Sequence, residues 1–173
     1  MTFAFGHLTG AWLFGKMTEW FSRKKIPLSA WLYLLLGGII SDIDFLLDWT
    51  FKTEAHRTFT HSLIFLMVSC FLVYVVLFLL NKSKEAKLFS LMFGSGIVVH
   101  IVLDMLFSQG VPLFWPNLLH FSFQGLSYFD PATPSCLNGS YETIKHSLRL
   151  AVVDMALGTA WVFYFALRKR IKF

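Results

Sequence analysis

The feature that most constrains this chain is an apolar run without a single charge. The run extends from Ser62 to Leu80 and reads SLIFLMVSCFLVYVVLFLL. At a rise of 1.5 Å per residue, about 20 such residues cross the ~30 Å hydrocarbon core of a bilayer as a helix. Only 14% of the 173 residues are charged, whereas an average soluble domain carries roughly 25%. We therefore predict an all-α membrane protein.

Four further apolar stretches have a comparable length. Together with the first run they give about five predicted transmembrane helices, at residues 2–21, 28–47, 62–80, 86–107 and 148–167. The stretch 2–21 is the weakest, because it contains Lys16 and Glu19, and an interfacial helix is the alternative there. We predict a single polytopic helical bundle over residues 1–173, in which residues 108–147 form the one long loop.

The positive charges collect in short clusters that follow alternate predicted helices. The clusters are Arg23, Lys24 and Lys25, then Lys82, Lys84 and Lys87, and finally Arg168, Lys169, Arg170 and Lys172. With five crossings all three lie on one side, which the positive-inside rule assigns to the cytoplasm. The N-terminus and the loop 108–147 then lie outside. Membrane topology explains the net charge of +5, and we expect the lipid bilayer, not nucleic acid, as partner.

Histidine and aspartate side chains interrupt the apolar stretches at similar depths. The predicted topology places them all towards the outer face: His7, Asp42, Asp44, His56, His61, His100, Asp104, His146 and Asp154. Charged groups within lipid are costly, and they usually face the interior of a bundle with a partner. Residues far apart in the sequence thus reach one layer of the membrane, which indicates a shared site. His120, in the aromatic loop, is expected at the surface instead.

Two spacings within this set favour a metal site. His100 and Asp104 are four residues apart, so both side chains lie on one face of a helix. Asp42 and Asp44 bring two carboxylates together, and these repel each other unless a cation or a proton separates them. The alternatives are a local hydrogen-bonded pair at His100 and a solvated helix end at Asp42. We favour metal binding at His100 and Asp104, and metal binding or catalysis at Asp42 and Asp44.

The segment from His56 to Ser62, HRTFTHS, carries the most specific pattern. Its two histidines flank Thr60, a candidate N-cap of the next helix, and neutral imidazole is the commonest metal ligand. The planar guanidinium of Arg57 suits a phosphate or a carboxylate. An exposed polar loop would account for Arg57 but not for the pair of histidines. We therefore predict that His56 and His61 bind metal.

Five motifs occur in the order found in a known family. They are His7-Leu8-Thr9-Gly10, Ser41-Asp42-Ile43-Asp44, His56-Arg57-x-x-Thr60-His61-Ser62, His100-x-x-Leu103-Asp104 and Gly110-Val111-x-Leu113-Phe114-Trp115-Pro116. This order resembles that of the inner-membrane-bound proteins regarded as metal-dependent hydrolases, a group that includes a LexA-regulated bacterial membrane protein. More distantly, the motifs are similar to those of the all-helical zinc-dependent phospholipases C. Ser41 stands where the family often has Pro.

The resemblance implies a set of ligands and catalytic groups. Its members are His7, Asp42 or Asp44, His56, His61, His100 and Asp104. Because imidazole and carboxylate are mixed, we favour zinc as the cofactor, with manganese or iron as alternatives. We expect Asp44 to bind metal, Asp42 to act as general base and Arg57 to hold a substrate phosphate. No family motif follows Pro116, so His146 and Asp154 receive no role.

The expected function is metal-dependent hydrolysis of a phosphoester in a lipid or lipid-linked substrate, in which the metal activates a water. A lipid headgroup most easily reaches a site about 10 Å below the outer surface of the inner membrane. An ion or proton transporter is one alternative, and a metal-binding membrane protein without catalytic activity is another. A transporter would need polar residues in the cytoplasmic half as well, and the predicted helices are nearly all apolar there.

Overall fold

A computed structural model describes residues 4–44, 50–51, 58–107, 110–117, 119–123, 125–128 and 156. Within this part of the chain four helices are bounded: α1 (Ala4–Ser22), α2 (Leu28–Ile40), α3 (Leu63–Leu79) and α4 (Ser83–Phe107). A 3-10 turn, Phe59–His61, precedes α3. A two-stranded antiparallel hairpin, β1 (Leu119–Ser122) and β2 (Gly125–Tyr128), follows α4. The described chain is mostly helical, as predicted, and the hairpin within the predicted loop is an addition.

The number of described helices that are long and apolar enough to cross a membrane differs from the prediction. Among the described residues one helix, not five, is long and apolar enough to cross a membrane, and it spans Ser83–Leu106 of α4. The helices α2 and α3 are apolar but have 13 and 17 residues, which is about 20 and 26 Å. The helix predicted over 28–47 ends early because a turn begins at Ser41. The stretch 148–167 lies outside the described residues.

The polar side chains of α1 explain why this helix does not qualify as a crossing. It has 19 residues, but His7, Lys16 and Glu19 lie along it. Lys16 donates to Glu19 at 3.2 Å, and its ammonium lies 5.0 Å from the ring centre of Trp31 in α2. The contact of Lys16 with Trp31 therefore joins α1 to α2 at the end that is remote from His7.

The central helix of the bundle is α4, which contacts α1, α2 and α3. Along α2, Tyr33 stacks on Phe89 with ring centroids 4.8 Å apart, and a hydrogen bond joins Gly38 to His100. The two helices therefore run in the same direction. The helix α3 runs the opposite way, and its Cys70 carbonyl accepts from the Ser90 hydroxyl at 2.7 Å.

Two glycines allow α2 and α4 to touch through their backbones. A Cβ on Gly37 would collide with the carbonyl oxygen of Phe93, and a Cβ on Gly96 would collide with that of Leu34. Small residues permit this kind of close approach between membrane helices. The contact brings the end of α2, including Gly38 and the turn after it, next to the second half of α4.

Apolar side chains fill the bundle between its two ends. The buried ones are Ala11, Ala30, Leu34, Leu77, Ala86, Phe89 and Met92 in one cluster and Phe93, Ile97, Ile101 and Val111 in the next. The turns between α1 and α2 and between α3 and α4 lie at one end and carry the basic residues. The described His and Asp side chains of the predicted site, His7, Asp42, Asp44, His61, His100 and Asp104, lie at the other end. Because consecutive helices alternate in direction, the basic residues and the described His and Asp residues lie at opposite ends of the bundle.

Part of the predicted loop folds back over the end that carries the predicted site. Val111 pairs with Phe121 of β1 as an antiparallel bridge, and the N–H of Leu63 donates to the carbonyl of Leu113 at 2.9 Å. His120 of β1 is only 7% exposed. The expectation of a surface histidine is therefore wrong, because β1 packs against α4.

Candidate metal centre

Five side chains from four places in the chain converge at this end of the bundle. They are His7 of α1, Asp42 of the turn after α2, His61 of the 3-10 turn, and His100 and Asp104 of α4. Two overlapping groups, His7–Asp42–His100 and His61–His100–Asp104, each have donor atoms within 4.8 Å of one another. The imidazoles and Asp104 are at most 1% exposed, whereas the side chain of Asp42 is 23% exposed. The cluster is buried on every side except that of Asp42.

The separations within the cluster are those of groups around one centre. The Nε2 atom of His7 lies 3.6 Å from Asp104 Oδ1 and 3.8 Å from Asp42 Oδ2. The Nε2 atom of His61 lies 3.3 Å from Asp104 Oδ2, and that of His100 lies 3.4 Å from Asp42 Oδ1. Neighbouring donors around a tetrahedral zinc ion, each ~2.0–2.1 Å from it, are about 3.4 Å apart. The donor set therefore fits a transition metal in both chemistry and spacing.

The ring orientations fix which nitrogen of His100 faces the centre. Its Nδ1 lies 2.8 Å from the carbonyl oxygen of Gly38. A carbonyl only accepts hydrogen bonds, so Nδ1 carries the proton and Nε2 presents a lone pair. The ring also stacks on that of His7, with centroids 3.6 Å apart. The backbone contact at Gly37 thus has a chemical consequence, because it supplies the acceptor that selects this tautomer.

A similar arrangement holds His61. Its Nδ1 lies 3.0 Å from the hydroxyl oxygen of Thr60, and that hydroxyl donates its own proton to Asp44. The Thr60 oxygen is therefore free to accept from Nδ1, which leaves Nε2 as a lone pair. Burial lowers the pKa of His61 and so favours the neutral imidazole. Neutral imidazole is the form that binds metal.

The two aspartates of the turn lie at opposite edges of the His61 ring. Asp42 Oδ1 is 3.8 Å from Nε2, on the side of the cluster, whereas Asp44 Oδ2 is 3.7 Å from Nδ1. A continuous helix would point residues two positions apart in nearly opposite directions. Here α2 stops at Ile40, and the Asp42 N–H donates to Ile39 three residues back. This turn lets both carboxylates reach one imidazole.

A match over almost the whole chain shows which family it belongs to. The family model described as YdjM inner membrane protein matches residues 1–171. The chain belongs to the YdjM inner membrane protein family. No curated protein and no solved structure matches it. The family places this YdjM-family chain in the inner membrane, as the motif order implied. The hydrolase activity and the likeness to phospholipase C, which the motifs also implied, stay predictions.

The structure of this YdjM-family chain covers some residues of the predicted motifs and not others. His56, Arg57, His146 and Asp154 lie outside the described residues. Thr60 is not the N-cap of α3, because the Ser62 hydroxyl accepts from the Phe65 N–H at 3.1 Å and takes that role. The neighbours that orient the two imidazoles, the Thr60 hydroxyl and the Gly38 carbonyl, were missed. Only the position of Thr60 directly before His61 offered a signal.

Proposed function

We propose that this protein binds one divalent transition metal, zinc in the first place, at the end of the bundle. The observation that carries the proposal is the 3.2 Å separation of His61 Nε2 and His100 Nε2. Both atoms present lone pairs in a buried site, and these repel unless a metal ion or a proton lies close to both. The two candidate groups share His100, whose second nitrogen is taken by Gly38. Because only one nitrogen of His100 is available as a ligand, the two candidate groups describe a single metal site.

We assign the ligands by burial. His7, His61, His100 and Asp104 are the buried donors of the cluster, and we infer that they hold the metal. Asp44 is equally buried at 2% but lies behind His61, where it receives the Thr60 hydroxyl proton. Its role is therefore to orient His61, in place of the ligand role expected from the sequence. Interactions of this kind with a ligand's second nitrogen raise metal affinity by roughly 10–100-fold.

We propose that the site hydrolyses a phosphoester. A divalent metal supplies Lewis acidity, which lowers the pKa of a water beside it to about 7. Asp42 is the one carboxylate of the cluster that is partly exposed, at 23% of its side chain. A molecule arriving from outside meets Asp42 first, and Asp42 lies close to the metal ligand His100. This position suits a general base that removes a proton from an incoming water.

A lipid or a lipid-linked phosphoester is the substrate class that the surroundings favour. The protein is an inner membrane protein, and Ile43, next to Asp42, exposes 47% of its surface. Access past Asp42 therefore runs beside an apolar side chain, as a lipid headgroup with its attached tail requires. The predicted phosphate contact of Arg57 belongs to this proposal, as does metal binding by His56.

The transporter alternative receives less support. A conduction path needs polar groups on both sides of the membrane centre. Among the described residues, the buried side chains between the cluster and the basic turns are Leu34, Phe89, Met92 and Phe93 and their apolar neighbours. We also propose that the protein is multi-pass with its site on the extracytoplasmic side, because the basic turns lie at the opposite end of the bundle.

The direct test is hydrolysis by the purified protein in detergent. The substrates are bis-p-nitrophenyl phosphate, phosphatidylglycerol and phosphatidylethanolamine, each with zinc, with manganese and with chelator. We expect turnover that chelator abolishes, that His100→Ala removes and that His120→Ala retains. His120 is a matched control, since it is also a buried imidazole but lies outside the cluster. A metal-loaded protein without turnover on any substrate would favour the non-catalytic alternative.

A further inference from the structure

A second polar feature lies at the end of the bundle remote from the metal centre. A shallow cavity of about 380 Å³, broadly open to its surroundings, lies at the turn between α1 and α2. Its lining consists of Lys16, Glu19, Trp20, Arg23, Lys24 and Lys25. Four of these six side chains are cations and one is an anion. None of them belongs to the proposed metal centre, so the cavity calls for an explanation of its own.

The single carboxylate in the cavity is already occupied. Glu19 Oε2 accepts from the Lys16 ammonium at 3.2 Å, and Oε1 accepts from the Ile26 N–H at 2.9 Å. The second bond fastens the turn back against α1. It therefore places the three cations of residues 23–25 around the cavity. In the described part of the chain, Arg23, Lys24 and Lys25 form no ion pair, and all three are exposed.

The backbone at Arg23 adds an independent observation. Its φ is 54°, in the left-handed region that costs a residue with a Cβ about 1 kcal/mol or more and that glycine adopts freely. Glycine is the usual residue where a helix ends in this conformation. Here the chain keeps a long cation at that position, beside the cavity. Asn81, after α3, has the same backbone conformation, so the feature particular to this turn is the long cation that occupies the position.

Simpler explanations account for the charges but not for the cavity. The carbonyl end of α1 carries only about half a negative charge, which three cations exceed. The positive-inside rule explains why Lys and Arg occur in the turn. It does not explain why their side chains lie around a cavity. Trp20, at the rim, is 72% exposed. Exposed tryptophan is typical of the level of the lipid headgroups.

We propose that this cavity binds a phosphate group. Arginine and lysine together recognise phosphate through charge-assisted hydrogen bonds. Basic pockets on the cytoplasmic side of membrane proteins hold the headgroups of anionic phospholipids. Free inorganic phosphate offers the same chemistry, and the two sources are separated by experiment. The assignment does not depend on the metal centre, which lies at the other end of the bundle.

The test compares two variants that lose the same charge at the same end of the bundle. One is Arg23→Gln/Lys24→Gln/Lys25→Gln, which removes the cations of the cavity. The other is Lys82→Gln/Lys84→Gln/Lys87→Gln, which removes three exposed cations near the turn between α3 and α4. Native mass spectrometry of the full chain in detergent measures binding of phosphatidylglycerol and of phosphatidylcholine. Inorganic phosphate is added as competitor in a further arm.

We expect the first variant to bind phosphatidylglycerol about 10-fold more weakly, as the loss of one or two charge-assisted hydrogen bonds implies. The second variant should bind it as the wild type does, and phosphatidylcholine should bind weakly to all three. Competition by millimolar phosphate would support the site with free phosphate as its source, and absence of competition would support a lipid source. Equal losses in both triple variants would overturn the proposal, because they would reveal a general effect of charge.

A single substitution separates binding from structure. Arg23→Gly relieves the left-handed backbone and should raise the melting temperature by a few degrees. The same change should weaken binding of phosphatidylglycerol, since it removes the guanidinium. A role in stability alone predicts a lower melting temperature and unchanged binding. Unchanged binding of phosphatidylglycerol by this variant would overturn the proposal.

Discussion

The Nε2 atoms of His61 and His100 lie 3.2 Å apart, and both rings are fully buried. Each ring has its other nitrogen held by a neighbour, Thr60 in one case and Gly38 in the other. Two carboxylates, Asp42 and Asp104, face the same point. Two lone pairs and two anions in one buried space repel one another unless a metal ion or a proton lies between them. This relationship is the physical basis of the proposed metal centre.

Removing one donor from this centre should remove the metal. We expect His100→Ala and Asp104→Ala to reduce bound metal to a small fraction of the wild-type content. Both should also lower the melting temperature, because the donors that remain in the buried site lose the cation they share, at a cost of about 3–5 kcal/mol. Elemental analysis per folded chain measures the first effect, and thermal unfolding in detergent measures the second. His120→Ala should keep its metal, and a metal-replete His100→Ala protein would contradict the assignment.

Substitutions of the two aspartates in the turn after α2 should have different effects. Asp42→Asn should keep metal and lose roughly 10²–10⁴-fold in turnover, the usual contribution of a general base. Asp44→Asn should weaken metal binding by roughly 10–100-fold, because His61 loses the neighbour that orients it through Thr60. Zinc titration and hydrolysis rates compare the two variants side by side. If Asp42→Asn abolished metal binding while Asp44→Asn left it intact, Asp42 would be a ligand.

The sequence was sufficient to bring the right kinds of residue to one end of the bundle. Alternating chain direction places His7, Asp42, His61 and His100 at a common level, and this needs only the lengths of the apolar stretches. It was not sufficient to rank the two aspartates, because their directions depend on where α2 ends. α2 ends at Ile40, where a turn begins at Ser41, and the apolar pattern of residues 28–47 does not mark that position.

Among the described residues, the prediction of five membrane-spanning helices was not met for a related reason. Hydropathy averages over a stretch and does not detect the point at which a helix stops, so 28–47 was read as one helix although α2 spans Leu28–Ile40. The hairpin of β1 and β2 was missed because its register depends on contacts between residues that are distant in the sequence, such as Val111 with Phe121.

Gly37 should be intolerant of even one methyl group. Gly37→Ala would drive a Cβ into the carbonyl oxygen of Phe93, a backbone atom that moves only if α2 and α4 separate. We expect a loss of about 1–3 kcal/mol in unfolding free energy, and weaker metal binding because Gly38 moves away from His100. Gly94→Ala is the matched control, because its Cβ meets the Cys70 sulfur and a methyl group of Leu66, which are side-chain atoms free to shift. Equal melting temperatures of the two variants would contradict the close crossing of α2 and α4.

The proposed orientation in the membrane is open to a labelling test. In a background without Cys70 and Cys136, a cysteine in place of Lys24 or Lys84 should resist a membrane-impermeant maleimide in spheroplasts. A cysteine in place of Asn138 should react. The reason is that the basic turns face the cytoplasm under the positive-inside rule. Labelling of the Lys84 position in sealed spheroplasts would invert the topology and move the metal centre to the cytoplasmic side.

The most direct measurement is the metal content of the wild-type chain, purified from membranes without chelator and without added metal. We predict about one transition-metal ion per chain, zinc before manganese or iron, and a melting temperature that falls when the metal is stripped and recovers when zinc is restored. A chain that carries no metal, and whose melting temperature does not respond to added zinc, manganese or iron, would contradict the proposed metal centre.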